Sequence, residues 1–324
     1  MDNSVLLVSP APHVRAKDTT TKIMLDVIIA LLPAAVAGIV IFGIRALAVL
    51  CVTVAASVFS EFIFNLVTKK EQTVDDLSAI VTGLLLGLNL RADAPLWQCA
   101  IGAIFAIVVV KCLFGGLGCN FANPAITARV FLVISFTSTL GGGAKPIIGA
   151  EAAGELVSGA TPEILVSGAT PLEVIGTSGN LPSILDMLLG VRAGAIGETC
   201  IIALLLGFGY LVFRKIINFE IPLIFIGTVF VLSLIAYSDF TVALYQILSG
   251  GLVLGAVFMA TDYVTTPITR SGKMIFAFGC GLITFLIRYF GTYPEGVSYA
   301  ILFMNILSPY IEKWTAPRAL GGNK

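Results

Sequence analysis

Two threonines share one five-residue setting, nine positions apart. Ser158-Gly159-Ala160-Thr161-Pro162 is followed by Ser167-Gly168-Ala169-Thr170-Pro171-Leu172. An exposed threonine hydroxyl can accept a covalent group. The Gly and Ala before it leave room for a second protein's active site, and the proline after it has no N–H and stiffens the chain. A second set of residues stands out by location. Glu61, Lys111, Arg129, Glu198, Asp262 and Arg288 lie within or at the ends of apolar runs. Ionisable groups are costly there and are functional candidates by default. Lys111 and Glu61, near run ends, are expected to snorkel outward. Arg129 and Arg288 are expected to anchor on a backbone carbonyl or a carboxylate. Asp262, with Thr265, Thr266 and the amides of Asn120 and Asn305, offers the oxygen ligands a hard cation such as Na⁺ prefers. No catalytic residue and no metal cluster is expected, and the lone His13 is assigned no chemistry.

The elements that must position these groups are membrane helices. Of 324 residues, 57% are hydrophobic and 12% charged, where a soluble domain carries about a quarter charged. Mean hydropathy is +1.00. The formal net charge of zero leaves no nucleic-acid signature. None of the six cysteines makes a C-x-x-C pair, so small buried hydrophobes are the simplest reading. Cys112 and Cys119 flank Gly115, Gly116 and Gly118 and are placed to touch a redox cofactor shared with a neighbour. The polar first 22 residues lead into an apolar run of full membrane length, which is too long for a signal peptide, so no cleavage is expected.

Ten apolar runs predict an all-α polytopic protein. The first five cover about 24–43, 46–67, 77–90, 95–114 and 125–140; the second five cover about 193–213, 219–236, 241–260, 274–290 and 297–313. Residues 1–22 and 314–324 are then tails, 23–140 and 193–313 two five-helix halves, and 141–192 a loop rich in Gly, Pro, Ser and Thr. With the N-terminus inside, twelve Lys/Arg residues face the cytoplasm and four face outward. The excess predicts an inner-membrane protein with both termini cytoplasmic and the 141–192 loop outside.

Five runs per half is odd, so homologous halves must be inverted. Thr82-Gly83-Leu84-Leu85-Leu86-Gly87 echoes Leu254-Gly255-Ala256-Val257-Phe258-Met259, and Asn120 to Pro124 echoes Asn305 to Pro309. The third run has about 14 apolar residues, where about 20 are needed to span. Short, Gly/Pro-interrupted segments at matching places predict broken helices around a central site.

These motifs carry a resemblance to a family. Ser-Gly-Ala-Thr is similar to the site at which a flavin transferase joins FMN, through its phosphate, to a threonine. The whole chain resembles the RnfD/NqrB membrane subunits of ion-translocating electron-transport complexes. The likeness runs from Ser9-Pro10-Ala11-Pro12-His13 through Gly115-Gly116-Leu117-Gly118-Cys119-Asn120 and Asn123-Pro124-Ala125. It continues in Ala260-Thr261-Asp262-Tyr263-Val264-Thr265-Thr266-Pro267, Glu295-Gly296-Val297-Ser298-Tyr299-Ala300 and Asn305. The short N-terminal tail and the Thr-Pro-Leu after the motif look more like RnfD than NqrB.

The resemblance implies covalent FMN on Thr170, within Ser167, Gly168 and Ala169. Thr161 is the alternative acceptor, because the motif is duplicated here. It also implies a second, non-covalent flavin (riboflavin), placed nearest Gly115, Gly116, Gly118 and Asn120. Asp262, Thr265, Asn120 and Asn305 are the expected ion path. The implied partners are the other Rnf subunits, a flavin transferase, Na⁺ or H⁺, and membrane lipid. The implied activity is that of one subunit in an ion-translocating ferredoxin:NAD⁺ oxidoreductase. Two other readings remain: an NqrB-like subunit that reduces quinone, and a urea- or ammonium-type solute channel. A channel has no use for the Ser-Gly-Ala-Thr loop.

Overall fold

The computed structural model describes residues 19–147, 167–168, 171–174, 182–291 and 295–316. Helices dominate: α1 Thr20–Phe42, α2 Ile44–Thr68, α3 Ser78–Leu88, α4 Leu96–Cys112, α5 Pro124–Ser135 and the short α6 Thr137–Leu140. A two-stranded ribbon joins β1 Gly143–Ala144 to β2 Ser167–Gly168. Then come α7 Pro171–Val174, α8 Ile184–Leu189, α9 Ile201–Phe213, α10 Glu220–Tyr237, α11 Phe240–Leu248, α12 Leu252–Met259, α13 Arg270–Phe290 and α14 Val297–Thr315. Among the described residues, four helices are long and apolar enough to cross a membrane alone: α1, α2, α10 and α13. The pair α11–α12, bent by 62° at a short break, makes a fifth candidate.

Local chemistry sets the ends of these helices. Thr19 Oγ1 accepts the Lys22 N–H and caps α1. Asn123 Oδ1 accepts the N–H groups of Ala125 and Ile126 and caps α5, with Pro124 in the first turn where its missing N–H costs nothing. The eighth predicted run is broken as expected, at Ser249-Gly250-Gly251. The third is an 11-residue helix buried along nearly its whole length.

Two runs differ from expectation. The sixth begins as a helix only at Ile201, because residues 190–200 form a loop that pairs with the chain after α3. There the Ile196 N–H donates to Leu90 O and the Gly197 N–H to Leu88 O. Glu198 therefore lies in a loop, not in a helix. The fifth stops at Ser135, with Phe136 at φ −130° and ψ 47° turning the chain into α6.

The bundle core joins the two halves. α1 packs along α9, α2 along α3 and α4, α10 along α13, and α5 against α14. The α1–α9 seam needs a glycine, since a Cβ on Gly207 would sit 2.1 Å from the carbonyl oxygen of Ala30. Asp26 on α1 closes the same seam, accepting from Tyr210 at 2.7 Å and from Arg214 at 2.9 Å.

Candidate functional site

At the end of the bundle where α1 starts, the helices enclose a cavity of about 400 Å³. Its walls are mainly apolar, with Met24, Leu85, Leu211 and Phe258 among them. Its polar lining includes Lys111, Ser78, Thr82, Asn120, Asn123, Thr261 and Asp262. Apolar walls with a few convergent polar groups suit a flat, largely apolar ligand with one polar edge. Asn120 Oδ1 is buried with no hydrogen-bond partner among the described residues, so an acceptor there awaits a donor.

Lys111 and Glu61 do not snorkel. Their side chains are 2% and 1% exposed and form an ion pair at 2.8 Å. Glu61 projects from α2 and Lys111 from the last turn of α4, and close packing of these helices leaves neither a direct route to water. The pair is embedded in a chain of hydrogen bonds. Lys111 Nζ donates to Ser78 Oγ at 2.5 Å, and Ser78 in turn donates to Asp76. Thr73 Oγ1 donates to Glu61 at 2.7 Å and accepts from Asn65 at 3.0 Å. Thr73 is exposed, so this chain connects the cavity wall to the protein surface.

The glycines of the Gly115–Asn120 turn divide. Gly118 and Asn120 line the cavity, whereas Gly115 and Gly116 are not among its lining residues. All three glycines have φ between +92° and +118°, a region side chains rarely enter, so the turn itself demands them. Cys112 is buried and Cys119 exposed. Asp262 borders the cavity with Thr261 and Tyr263. Thr265 Oγ1 donates to Asp262 Oδ2 at 3.2 Å, and Thr266 donates to the Asp262 carbonyl. Asn305, on α14, is not among the lining residues; both its amide atoms are buried with no partner among the described residues.

A second polar centre occupies the other end of the bundle. Arg129 on α5 pairs with Glu295 before α14. Arg288 on α13 donates to the carbonyls of Gln246, at 2.5 Å, and Ser249, at 3.2 Å, at the α11–α12 break. Both arginines thus find the carboxylate and carbonyl partners expected of them. Arg192 donates to the Glu198 carbonyl at 2.7 Å, and Glu198 Oε1 accepts the Ala195 N–H at 2.9 Å. Arg192, Gln246 and Asp26 are not among the residues the sequence singles out, and Glu295 enters only within the Glu295–Ala300 motif. Asp26 alone carries a visible signal, a carboxylate inside the first apolar run.

The flanks of the second tetrapeptide come to this centre. Ser167 and Gly168 pair with Ala144 and Gly143 in the β1–β2 ribbon. Pro171 and Leu172 are buried, and a Cβ added to Gly250 would meet Leu172 Cδ1 at 2.8 Å and Arg288 Nη2 at 3.1 Å. Leu172 and Arg288 therefore abut the same glycine. Ala169, Thr170 and the first copy, including Thr161, lie outside the described residues, as does His13.

Known proteins match nearly the whole chain. The model of the NQR2, RnfD, RnfE family matches residues 7–321. The D subunit of the Na(+)-translocating ferredoxin:NAD(+) oxidoreductase complex of Acetobacterium woodii is 45% identical, covering 100% of this chain and 98% of that protein. The D subunit of the proton-translocating ferredoxin:NAD(+) oxidoreductase complex of Clostridium ljungdahlii is 42% identical, over 98% and 97%. The D subunit of the ion-translocating oxidoreductase complex of Stutzerimonas stutzeri is 38% identical, over 95% and 94%.

Proposed function

The chain belongs to the NQR2, RnfD, RnfE family, and from that premise we propose that it is the D-type membrane subunit of an ion-translocating ferredoxin:NAD⁺ oxidoreductase complex. The observation that carries this reading is full-length identity to two subunits named for that activity, one moving Na⁺ and one moving protons. It works with the other subunits of such a complex, since the chain holds nothing resembling a nicotinamide or iron–sulfur domain. The finer architecture we propose is ten spans in two inverted five-helix halves, in the inner membrane, with both termini cytoplasmic. Support comes from α3 and the broken α11–α12 at matching places, and from the packing of α1 on α9 and α5 on α14.

The redox group in this reading is FMN esterified to Thr170 by a flavin transferase, and when bound it supplies one- or two-electron exchange. The fuller match of the second copy, Ser167 to Leu172, supports Thr170 as the acceptor over Thr161. A second flavin, riboflavin, would occupy the cavity at the other end, where Asn120 and Lys111 would be the polar groups to hold it. Asp262 with Thr265 and Asn120, and Asn305 in the bundle, provide oxygen ligands for a cation path. The hydrocarbon core is about 30 Å thick, so neighbours must carry electrons between the two ends.

The test uses membranes from cells that lack this chain. Ferredoxin-driven NAD⁺ reduction by those membranes is expected to vanish and to return with the wild-type chain but not with Thr170→Val. Undiminished NAD⁺ reduction without the chain overturns the proposal.

A further inference from the structure

Two cavities meet across one wall. The cavity of about 400 Å³ and a smaller one of about 170 Å³ share Ile216, Ile217, Thr261 and Tyr263 as lining residues. The smaller lies between two non-helical segments, the α9–α10 turn at 214–219 and the stretch 260–269 that leads from α12 to α13. Its rim reaches the protein surface at Asn218 and Ile268, which are both exposed. The 260–269 segment is braced on itself. Thr266 Oγ1 donates to the Asp262 carbonyl, Thr265 Oγ1 to Asp262 Oδ2 at 3.2 Å, and the Val264 N–H to Asp262 Oδ1 at 3.3 Å. Its ties across the gap lie nearer to water. The Tyr263 O–H donates to the Ile216 carbonyl, and Arg270 pairs with Glu220 at the far end. Tyr263 is 55% exposed and Arg270 is exposed too, so water competes for both bonds and each adds little stability. A segment stiff within itself and weakly tied to its neighbour swings as one piece.

We propose that Tyr263 is the latch of a gate into the larger cavity. With its hydroxyl on the Ile216 carbonyl, the two cavities are separate. With that bond broken and the 260–269 segment swung away from the α9–α10 turn, they join into one passage from the surface. The shared wall is two isoleucines, a threonine and a tyrosine ring, so the passage suits the same flat, largely apolar ligand class as the cavity it serves. Other parts of the cavity wall are held more firmly. Leu85 and Leu211 sit on packed helices, and Asn123 Nδ2 donates to the Met259 carbonyl at the end of α12. The Gly115–Asn120 turn is bonded to the end of α4, where the Gly116 N–H donates to the Lys111 carbonyl at 3.0 Å. The inference rests on the reading of the larger cavity as a flavin site and adds what retains an occupant held without a covalent bond. Tyr263 is a positioning residue here: it acts on the 260–269 segment and takes no part in chemistry.

The experiment follows loss of riboflavin from the purified intact complex after dilution into riboflavin-free buffer, by filtration and fluorimetry of what stays bound. Tyr263→Phe keeps the ring and deletes the hydroxyl, and is expected to release riboflavin about fivefold faster, the factor for one neutral hydrogen bond. Tyr263→Ala, which also takes the ring out of the shared wall, is expected to release it faster still. Tyr310→Phe loses an exposed tyrosine hydroxyl on α14, away from the lining of both cavities, and is expected to keep the wild-type rate. Hydrogen–deuterium exchange of the same preparations gives a second readout. Tyr263→Phe is expected to speed exchange in 214–219 and 260–269 and to leave α1 and α9 unchanged. A wild-type release rate in both Tyr263 variants overturns the inference and leaves the flavin reading standing. So does faster release without faster exchange in the two segments, or faster release only in Leu117→Ala, which trims the cavity wall at the Gly115–Asn120 turn. A wild-type complex that yields no non-covalent flavin on denaturation overturns the flavin reading of the cavity, and this inference with it.

Discussion

The two buried charge centres of the bundle are built on opposite plans. Around Lys111 the charges are matched or slightly acidic: one ammonium against the carboxylates of Glu61 and, through Ser78, Asp76. Hydroxyls and an amide link that centre to exposed Thr73. Around Arg288 the described residues set Arg129, Arg192 and Arg288 against Glu198 and Glu295, and donors stay unpartnered. The first centre borders a cavity and opens through polar groups toward the surface. The second lies behind Leu172, with Glu295 26% exposed at its edge.

Breaking the Lys111 centre should have the largest effect. Lys111→Met leaves Glu61 buried without a counter-charge and is expected to cost about 3–5 kcal/mol, read as a large loss of thermal stability in detergent. The double variant Lys111→Met/Glu61→Gln should recover most of that loss. If the single variant melts with the wild type, the buried pair contributes nothing to holding the bundle together. In the Arg288 centre, Arg129→Gln removes a charged hydrogen bond to Glu295, which is 26% exposed and can still reach water. The expected cost is smaller, about 1.5–3 kcal/mol, in the same melting assay. Thr73→Val deletes the hydroxyl link between Glu61 and Asn65 at about 1.5 kcal/mol, the low end for a bond to a charged group; its sharper signature is altered dependence of NAD⁺ reduction on cation concentration. At the bottom of the scale, Arg270→Ala breaks a pair whose arginine is 79% exposed. It should change stability by less than about 1 kcal/mol, and a larger change would show that exposed and buried pairs in this bundle are not distinguishable.

Much of the helical plan is legible in the sequence, because apolar length is a strong signal in lipid. The break of the eighth run is readable from Ser249-Gly250-Gly251, and the cap of α5 from Asn123-Pro124. The loop at 190–200 is not. Its residues are apolar enough to extend the α9 run, and only their pairing with Leu88 and Leu90, over a hundred residues away, pulls them out of a helix. The site is half legible for the same reason. Lys111, Arg129 and Arg288 announce themselves as charges in apolar runs. Their partners carry no such signal, since Gln246 and Ser78 are uncharged and Glu295 lies between runs, and only the fold brings them near. A position near a run end makes Lys111 look like a snorkelling residue, because that position carries no information about Glu61 on α2.

The central claim is that Thr170 holds a covalent flavin, and in-gel fluorescence after denaturing electrophoresis tests it most directly. The chain would be co-expressed with a flavin transferase as wild type, Thr170→Val, Thr161→Val and the double variant. The account predicts a fluorescent band in wild type and Thr161→Val, absent from Thr170→Val and the double variant. A band lost only with Thr161→Val would contradict the choice of threonine. No band in the wild type, beside a labelled positive control, would contradict the covalent-flavin account altogether.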